Sequence, residues 1–491
     1  MISALARRPT HEGLGESYLR RIAEIGLWGG LALVVALAVG LPEEVQWVVL
    51  GAAGAAALVL IVLRPLVAVP LLLLAIPFGS RAVSDPGSGG ESTFSLGAVE
   101  ALAALLAMAW LAQSVRLRRL HLRGGALVGA LACMAALALF SVTYAEDRGS
   151  AVKEALKWLE LLLVLLAVSD LVTEASAARW VIGAALVAGA AEAAYGAFQF
   201  ATGRGPAFFE IDGALRAYGN FDQPNPFAGY LALLLPLAVL MAACTENPPG
   251  FRLLALVAGL TILGGIGLSQ SRGAWLGVAV TTGVLLLVWS RRTRRLLVPI
   301  VGVGLAGSAL AVSGLLPASL LDRVSQSIAY FGVFDVRTVD LTSENFSVVE
   351  RMAHWQAGWY MFLDHPWLGV GAGNYAEAYP NYYVSTWLDP LGHAHNYYLN
   401  MLAELGIVGG LVLLLVMALI FHQLGGPLVR ARESAFWRAV LGGVIGGMVV
   451  FCVHDLFDNL FVHGVNVQIG IMLGLGLLAL DRLRMVGRAA D

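Results

Sequence analysis

The sequence predicts an all-α, polytopic transmembrane helical bundle with a partly helical cap on one face. Of 491 residues, 58% are apolar and only 13% charged, against about 25% charged in an average globular domain. The apolar residues fall in successive runs near the length of about 20 residues that crosses a hydrocarbon core. Lysine and arginine cluster between alternate runs, the pattern that orients membrane helices. The three cysteines, Cys133, Cys244 and Cys452, sit in separate apolar runs and read as small core residues, with no disulfide framework.

Taken in order, residues 1–23 form a polar tail with Arg7, Arg8, Arg20 and Arg21 and no cleavage-site pattern. Spans are expected near 24–41, 46–63, 65–79, 96–115, 124–143, 152–172, 180–200, 227–244, 253–270, 274–289, 296–316, 397–422, 439–457 and 463–480. The count is fourteen, or twelve if two adjacent runs fail to cross; the 65–79 run is short for a span. The organisation is therefore a tail (1–23), a bundle of about eleven spans (24–316) with an outward loop at 203–226, a large loop or cap (317–395), C-terminal spans (396–480) and a second tail (481–491).

Basic clusters at Arg116–Arg123, Arg291–Arg295, Arg430–Arg438 and Arg482–Arg488 fall on the side of the N-terminal arginines, which places both tails in the cytoplasm. Three sizeable segments then face outward. Residues 79–95 are rich in glycine and serine and read as a flexible loop. The segment 317–395 is too long for an ordinary connection and rich in tyrosine and tryptophan, so it is expected to fold. Its helix Arg351-Met-Ala-His354-Trp355 should end near Asp364-His365-Pro366, where Gly369, Gly371 and Gly373 follow.

Polar groups at the outward boundary carry the functional signal. Gly392-His393-Ala394-His395-Asn396 lies where the cap re-enters the membrane, and a titratable pair there is costly. Arg272 sits in the turn between two spans, Arg216 precedes the span at 227–244 with Asn225 between them, and Arg351 opens the cap helix. Singly, each arginine also fits snorkelling to headgroups or a helix cap. Together on one face they ask for an anion, and the guanidinium fork suits phosphate oxygens. Lys153, Glu154, Lys157 and Glu160 read as a self-paired turn. His454, Asp455, Asp458 and His463 have metal-capable side chains without recognised ligand spacing, so local pairing or lid contacts are the preferred reading and no metal is assigned. Tyr379, Tyr382, Tyr383, Trp387, Tyr397 and Tyr398 suit sugar rings or a membrane-interface belt equally.

An outward-facing transferase has no nucleotide sugar at hand and needs a pre-activated donor. A polyprenyl pyrophosphate-linked glycan is one, with arginines neutralising the leaving diphosphate and an imidazole, of ordinary pKa about 6.5, taking the proton of an acceptor hydroxyl.

His395-Asn396 followed after nine residues by Gly406-Ile-Val-Gly409 resembles the signature of the O-antigen ligase and O-antigen polymerase superfamily. Ser271-Arg272-Gly273 resembles the same family, as do Arg351…Trp355 with His365-Pro366-Trp-Leu-Gly369-Val-Gly371-Ala-Gly373-Asn374 and Arg216…Gly219-Asn220…Pro224-Asn225. The resemblance covers roughly Arg216 to Gly409. It implies a GT-C-like, multi-pass enzyme of the bacterial inner membrane with its site facing the periplasm. It further implies metal-independent, inverting transfer of glycan from undecaprenyl pyrophosphate, without cofactor. On matching positions His395 is the base; Arg272, Arg351 and Arg216 bind the pyrophosphate; Asn396, Trp355, Asn225 and His393 support them. The acceptor is lipid A core in a ligase or a second lipid-linked glycan in a polymerase, in the company of membrane lipid and without nucleic acid. The histidine signature leans towards ligase and the span count towards polymerase. A protein O-oligosaccharyltransferase would hand the glycan to Ser or Thr. A lipid-glycan permease would place charged or broken helices near the midplane, whereas this chain concentrates them at one interface.

Overall fold

The computed structural model describes residues 54–78, 97–211, 213–313, 334–342, 345–430 and 434–490. The expected tail 1–23, the 24–41 span, the first residues of 46–63, the 79–95 loop and the first part of the 317–395 cap lie outside the described residues. Two compact units meet between Val67 and Ala68 in the sequence. In the first, residues 54–63 are helical and a 3-10 turn follows at Pro65–Val67.

The second unit is a helical bundle. It opens with α1 (Ala68–Ala75), whose eight residues are too few to cross a bilayer alone. Then come α2 (Ala98–Leu117), α3 (Ala126–Ser141), α4 (Arg148–Leu171) and α5 (Ala175–Thr202). A two-stranded ribbon, β1 (Glu210–Ile211) and β2 (Ala214–Leu215), precedes α6 (Pro224–Ala243), α7 (Pro249–Leu268), α8 (Arg272–Trp289) and α9 (Arg291–Val312). The cap supplies α10 (Phe346–Asp364) and α11 (Tyr375–Ala378), and the chain ends with α12 (Tyr397–Arg430), α13 (Ala435–His454) and α14 (Val465–Ala490). Among the described residues, α2, α5, α6, α7, α8, α12, α13 and α14 are long and apolar enough to cross a membrane. The cap helix begins at Phe346, earlier than the expected Arg351, and stops at Asp364 as the following proline and glycines require.

The inner layer is built by glycine. The apolar windows of α6 and α14 are 78% and 89% buried, against 17% for α8, so α6 and α14 lie inside and α8 faces outward. A Cβ at Gly443 or Gly447 of α13 would approach Leu237 Cα at 2.7 Å or the Leu233 carbonyl oxygen at 2.8 Å on α6. Gly470 and Gly474 of α14 stand equally close to the Leu161 and Leu165 carbonyl oxygens of α4. Small residues four apart let these backbones meet, which is how helices associate where water supplies no driving force.

Successive spans alternate direction, and their connectors gather at two ends. At one end arginines cap helix carbonyls: Arg252 Nε donates to Ala242 O at 3.0 Å and Arg438 Nε to Leu428 O at 3.1 Å. Arg482 donates to Thr173 O, and Arg123 binds Asp481 at 2.8 Å. At the other end lie the turns around 142–147, 203–223, 269–271 and 455–464, together with the cap. Asp147 N–H donates to Asn374 Oδ1 at 2.7 Å and Ala217 N–H to Leu268 O at 3.0 Å.

α12 is broken at Gly406, with φ 62° and ψ −163°, a conformation open essentially to glycine alone. The segment after α10 is stitched into the break. Val370 and Gly371 N–H donate to the Ala403 and Glu404 carbonyls at 3.0 and 2.9 Å, while Ile407 N–H donates to Pro366 O at 2.8 Å. Gly369, at φ 69°, lets this segment lie flat, since a Cβ there would fall 2.2 Å from the Glu404 carbonyl carbon. Gly406 therefore belongs to a docking joint.

Candidate functional site

The site is built on the turn that leads into α12. Leu391 (φ 48°), Gly392 (φ 84°) and His395 (φ 52°) are left-handed, a costly state for the two side-chain-bearing residues. The surroundings fix it. Ala394 N–H donates to Asn400 Oδ1 at 3.0 Å, His395 N–H to His393 Nδ1 at 3.0 Å, and Trp355 Nε1 donates to His395 O at 3.2 Å. Asn396 caps the helix by accepting Leu399 N–H at 3.0 Å, and its amide donates to Leu456 O at 3.1 Å.

The α13–α14 turn completes the arrangement. Asp458 Oδ1 lies 3.5 Å from His395 Nδ1 and 3.9 Å from His393 Nε2, contacts that are electrostatic rather than short hydrogen bonds. Its other oxygen accepts Asn225 Nδ2 at 2.7 Å, and Asn225 Oδ1 in turn accepts Arg216 Nη2 at 3.0 Å. Arg216 Nε also donates to Ser269 O at 2.8 Å, beside the Arg272 turn. One bonded chain thus runs from Arg216 through Asn225 to the carboxylate facing His395. Burial alone would raise the Asp458 carboxyl, yet the His395 and His393 imidazoles and the Arg351 guanidinium hold it well below the usual carboxylate range. Neither His395 nitrogen has a hydrogen-bond partner among the described residues. Both nitrogens are buried, Nδ1 turned to Asp458 and Nε2 without a partner among the described residues.

Arg216, Arg272 and Arg351 converge on this chain from three elements. Burial and then the charges of Arg351 and Arg272 lower the Arg216 guanidinium to about 10. Three cations close enough to disfavour one another make a strongly basic cluster, with guanidinium forks of the shape that suits an anion. His354 lies 5.5 Å from the His395 ring and stacks on Tyr379 at 5.0 Å. Glu350, beside Arg351, is raised by burial, against the lowering pull of His395 and Arg351. The site therefore sets carboxylates among its arginines and imidazoles.

Of the residues singled out in the sequence, the structure links Arg216, Asn225, His393 and His395 through Asp458, with Trp355 bonded to His395, Asn396 next to it, and Arg272 and Arg351 within electrostatic reach of Arg216. Asp458 is the addition. In the sequence it stands with His454, Asp455 and His463; His454 and Asp455 stay within electrostatic reach of it, but the hydrogen bonds of both and the ring contact of His463 lead elsewhere. His454 Nε2 faces Ser271 Oγ at 3.4 Å, Asp455 Oδ1 accepts Leu460 N–H at 2.8 Å, and His463 meets the Phe221 ring at 6.3 Å. The expected self-paired turn holds for Lys157 and Glu154 at 2.6 Å, while Glu160 instead accepts Asn466 Nδ2 at 2.9 Å. His354 was also missed; its place three residues after Arg351, on the same helix face, was the available signal.

Residues 255–415 match the family model described as O-antigen ligase. This segment belongs to the O-antigen ligase superfamily. It runs from α7 into α12, so the O-antigen ligase domain contains Arg272, Arg351, Trp355, His393, His395, Asn396 and the Gly406 joint. Arg216, Asn225 and Asp458 lie outside the matched residues and are brought to it by the fold. Comparison with curated proteins returned no match. At family level the domain supports an O-antigen ligase-like membrane glycosyltransferase.

Acid should loosen this end of the molecule. Burial, the first cause in each case, lowers His354 to about 4, His393 to about 3 and His463 to about 4. Each is depressed below its unfolded value of about 6.5, so its contribution to stability is complete above pH 6.5. That contribution drains away as pH falls towards the folded values. The heat-unfolding midpoint of the detergent-solubilised protein is expected to fall steadily from pH 7 to pH 5. A flat profile over that interval would contradict the neutral state of these rings.

Proposed function

We propose that this protein transfers a glycan from a polyprenyl pyrophosphate carrier to an acceptor hydroxyl at the outer face of the bacterial inner membrane. The observation that carries the reading is the single bonded chain joining Arg216 to the His395–Asp458 pair, with Arg272 and Arg351 alongside. His395 Nε2 takes the acceptor proton as the hydroxyl oxygen attacks the anomeric carbon. The bond from that carbon to the diphosphate oxygen breaks, and the configuration inverts. Asp458 steadies the imidazolium, as a carboxylate does for a histidine base elsewhere. Guanidinium groups receive the diphosphate as its charge develops, which is where electrostatic stabilisation has most effect. The reading needs no metal for the leaving group.

The deciding experiment supplies purified protein with an undecaprenyl pyrophosphate-linked glycan and, separately, lipid A core, a second lipid-linked glycan and an acceptor protein. Product on lipid A core marks a ligase, product on the second carrier a polymerase, and product on protein an O-oligosaccharyltransferase. Donor transport without any transfer would overturn the enzymatic reading. Within the same assay Arg272→Lys should cut turnover by about tenfold or more, because an ammonium keeps the charge and loses the two-pronged bond. Unimpaired Arg272→Lys would remove Arg272 from diphosphate binding.

A further inference from the structure

The turn that carries His395 contains a second imidazole with no part in the proton transfer just described. His393 Nδ1 accepts the His395 N–H at 3.0 Å, so its lone pair is engaged. The neutral ring then carries its proton on Nε2, the nitrogen 3.9 Å from Asp458 Oδ1. A ring in this tautomer has no free nitrogen with which to act as a base. His393, His395 and Asp458 also bring three ligand-type atoms within 4.8 Å of one another. A cation bound through His393 Nε2 would require the other tautomer and the loss of the His395 N–H bond, so the geometry favours a purely protein role.

We infer that His393 is a positioning residue for His395: it accepts the backbone N–H that fixes the left-handed turn and turns its own N–H towards the carboxylate facing the base. This rests on the reading of His395 as the base. The His395 backbone at φ 52° is held by a bond on each side, Trp355 Nε1 on its carbonyl and His393 Nδ1 on its N–H. Such a conformation persists only where its surroundings over-determine it. Of the two anchors, only His393 comes from within the turn. Its ring also meets the His395 ring edge to face, with centroids 4.4 Å apart and planes at 67°, which limits the rotation of the base. Burial and the neighbouring His395 lower His393 to about 3, in keeping with a ring that stays neutral while it works.

Two near-isosteres separate the functions of the two nitrogens. In His393→Asn the amide oxygen falls where Nδ1 stands, and in His393→Gln the amide nitrogen falls where Nε2 stands. With the acceptor identified by the three-acceptor assay, His393→Ala and His393→Gln should lower kcat by about tenfold, the worth of one hydrogen bond, with donor KM unchanged. His393→Asn should bring kcat back to within about threefold of the parent. Heat unfolding in detergent is measured for each; if His393→Ala fails to fold, the Asn and Gln pair decides alone. Parent kcat in His393→Ala, rescue by Gln in place of Asn, or a change confined to KM would each overturn the inference. His395→Ala is run beside them. If it still turns over, the base assignment itself falls, whereas an inactive His395→Ala with parent-like His393→Ala sinks only the positioning role.

Discussion

His395→Ala is expected to abolish measurable glycan transfer, a loss of about 10²–10⁴-fold in kcat if general base catalysis is all that goes. Donor binding should survive, because Arg216 and Arg351 are held by other groups. Arg216 is held by Ser269 O and Asn225, and Arg351 belongs to the cap helix. The loss therefore appears in kcat, with the donor dissociation constant unchanged. Among the described residues neither nitrogen of this imidazole has a hydrogen-bond partner, and its Nδ1 stands 3.5 Å from a fixed carboxylate. Retained turnover in purified His395→Ala would transfer the role of base to another group, and His354, 5.5 Å away, would be the first to test.

Gly406→Ala should cost the folded protein. A Cβ there would lie 2.4 Å from the Trp367 carbonyl carbon and oxygen, both backbone atoms fixed by the joint. To that collision is added strain of about 1–3 kcal/mol for a side chain in this backbone region. The outcome is a large fall in the heat-unfolding midpoint or a failure to recover monodisperse protein in detergent. Gly425 in the same helix provides the contrast, since nothing lies within 4 Å of its Cβ position. Gly425→Ala should be neutral or stabilising by up to about 1 kcal/mol. Gly406→Ala melting with the parent would show that the α12 break is not needed.

What could be read in advance follows from how far each signal travels along the chain. Helix positions were legible because apolar runs of membrane length are local, and the arginine clusters ordered them by alternation. His395, Arg272, Arg351 and Arg216 stood out because charge at a membrane boundary is conspicuous wherever it falls. Asp458 was visible as an outward acid but not as the partner of His395. Pairing across separate spans depends on which helices pack together, and apolar faces that meet lipid or protein look alike in sequence. The Gly406 break was hidden for a related reason. A glycine in a long apolar run suits close packing and a kink equally, and only the Pro366–Gly371 segment lying against it distinguishes them.

That joint also ties the cap to the helix behind it. Backbone groups left unpaired in hydrocarbon cost several kcal/mol each, and at the break α12 leaves some without a partner in its own helix. Residues 366–371 supply partners there and precede in the chain the helix they complete. The turn that carries His395 lies at the head of the same helix, so cap and turn are held as one piece, and a change that loosens the joint is expected to disturb both.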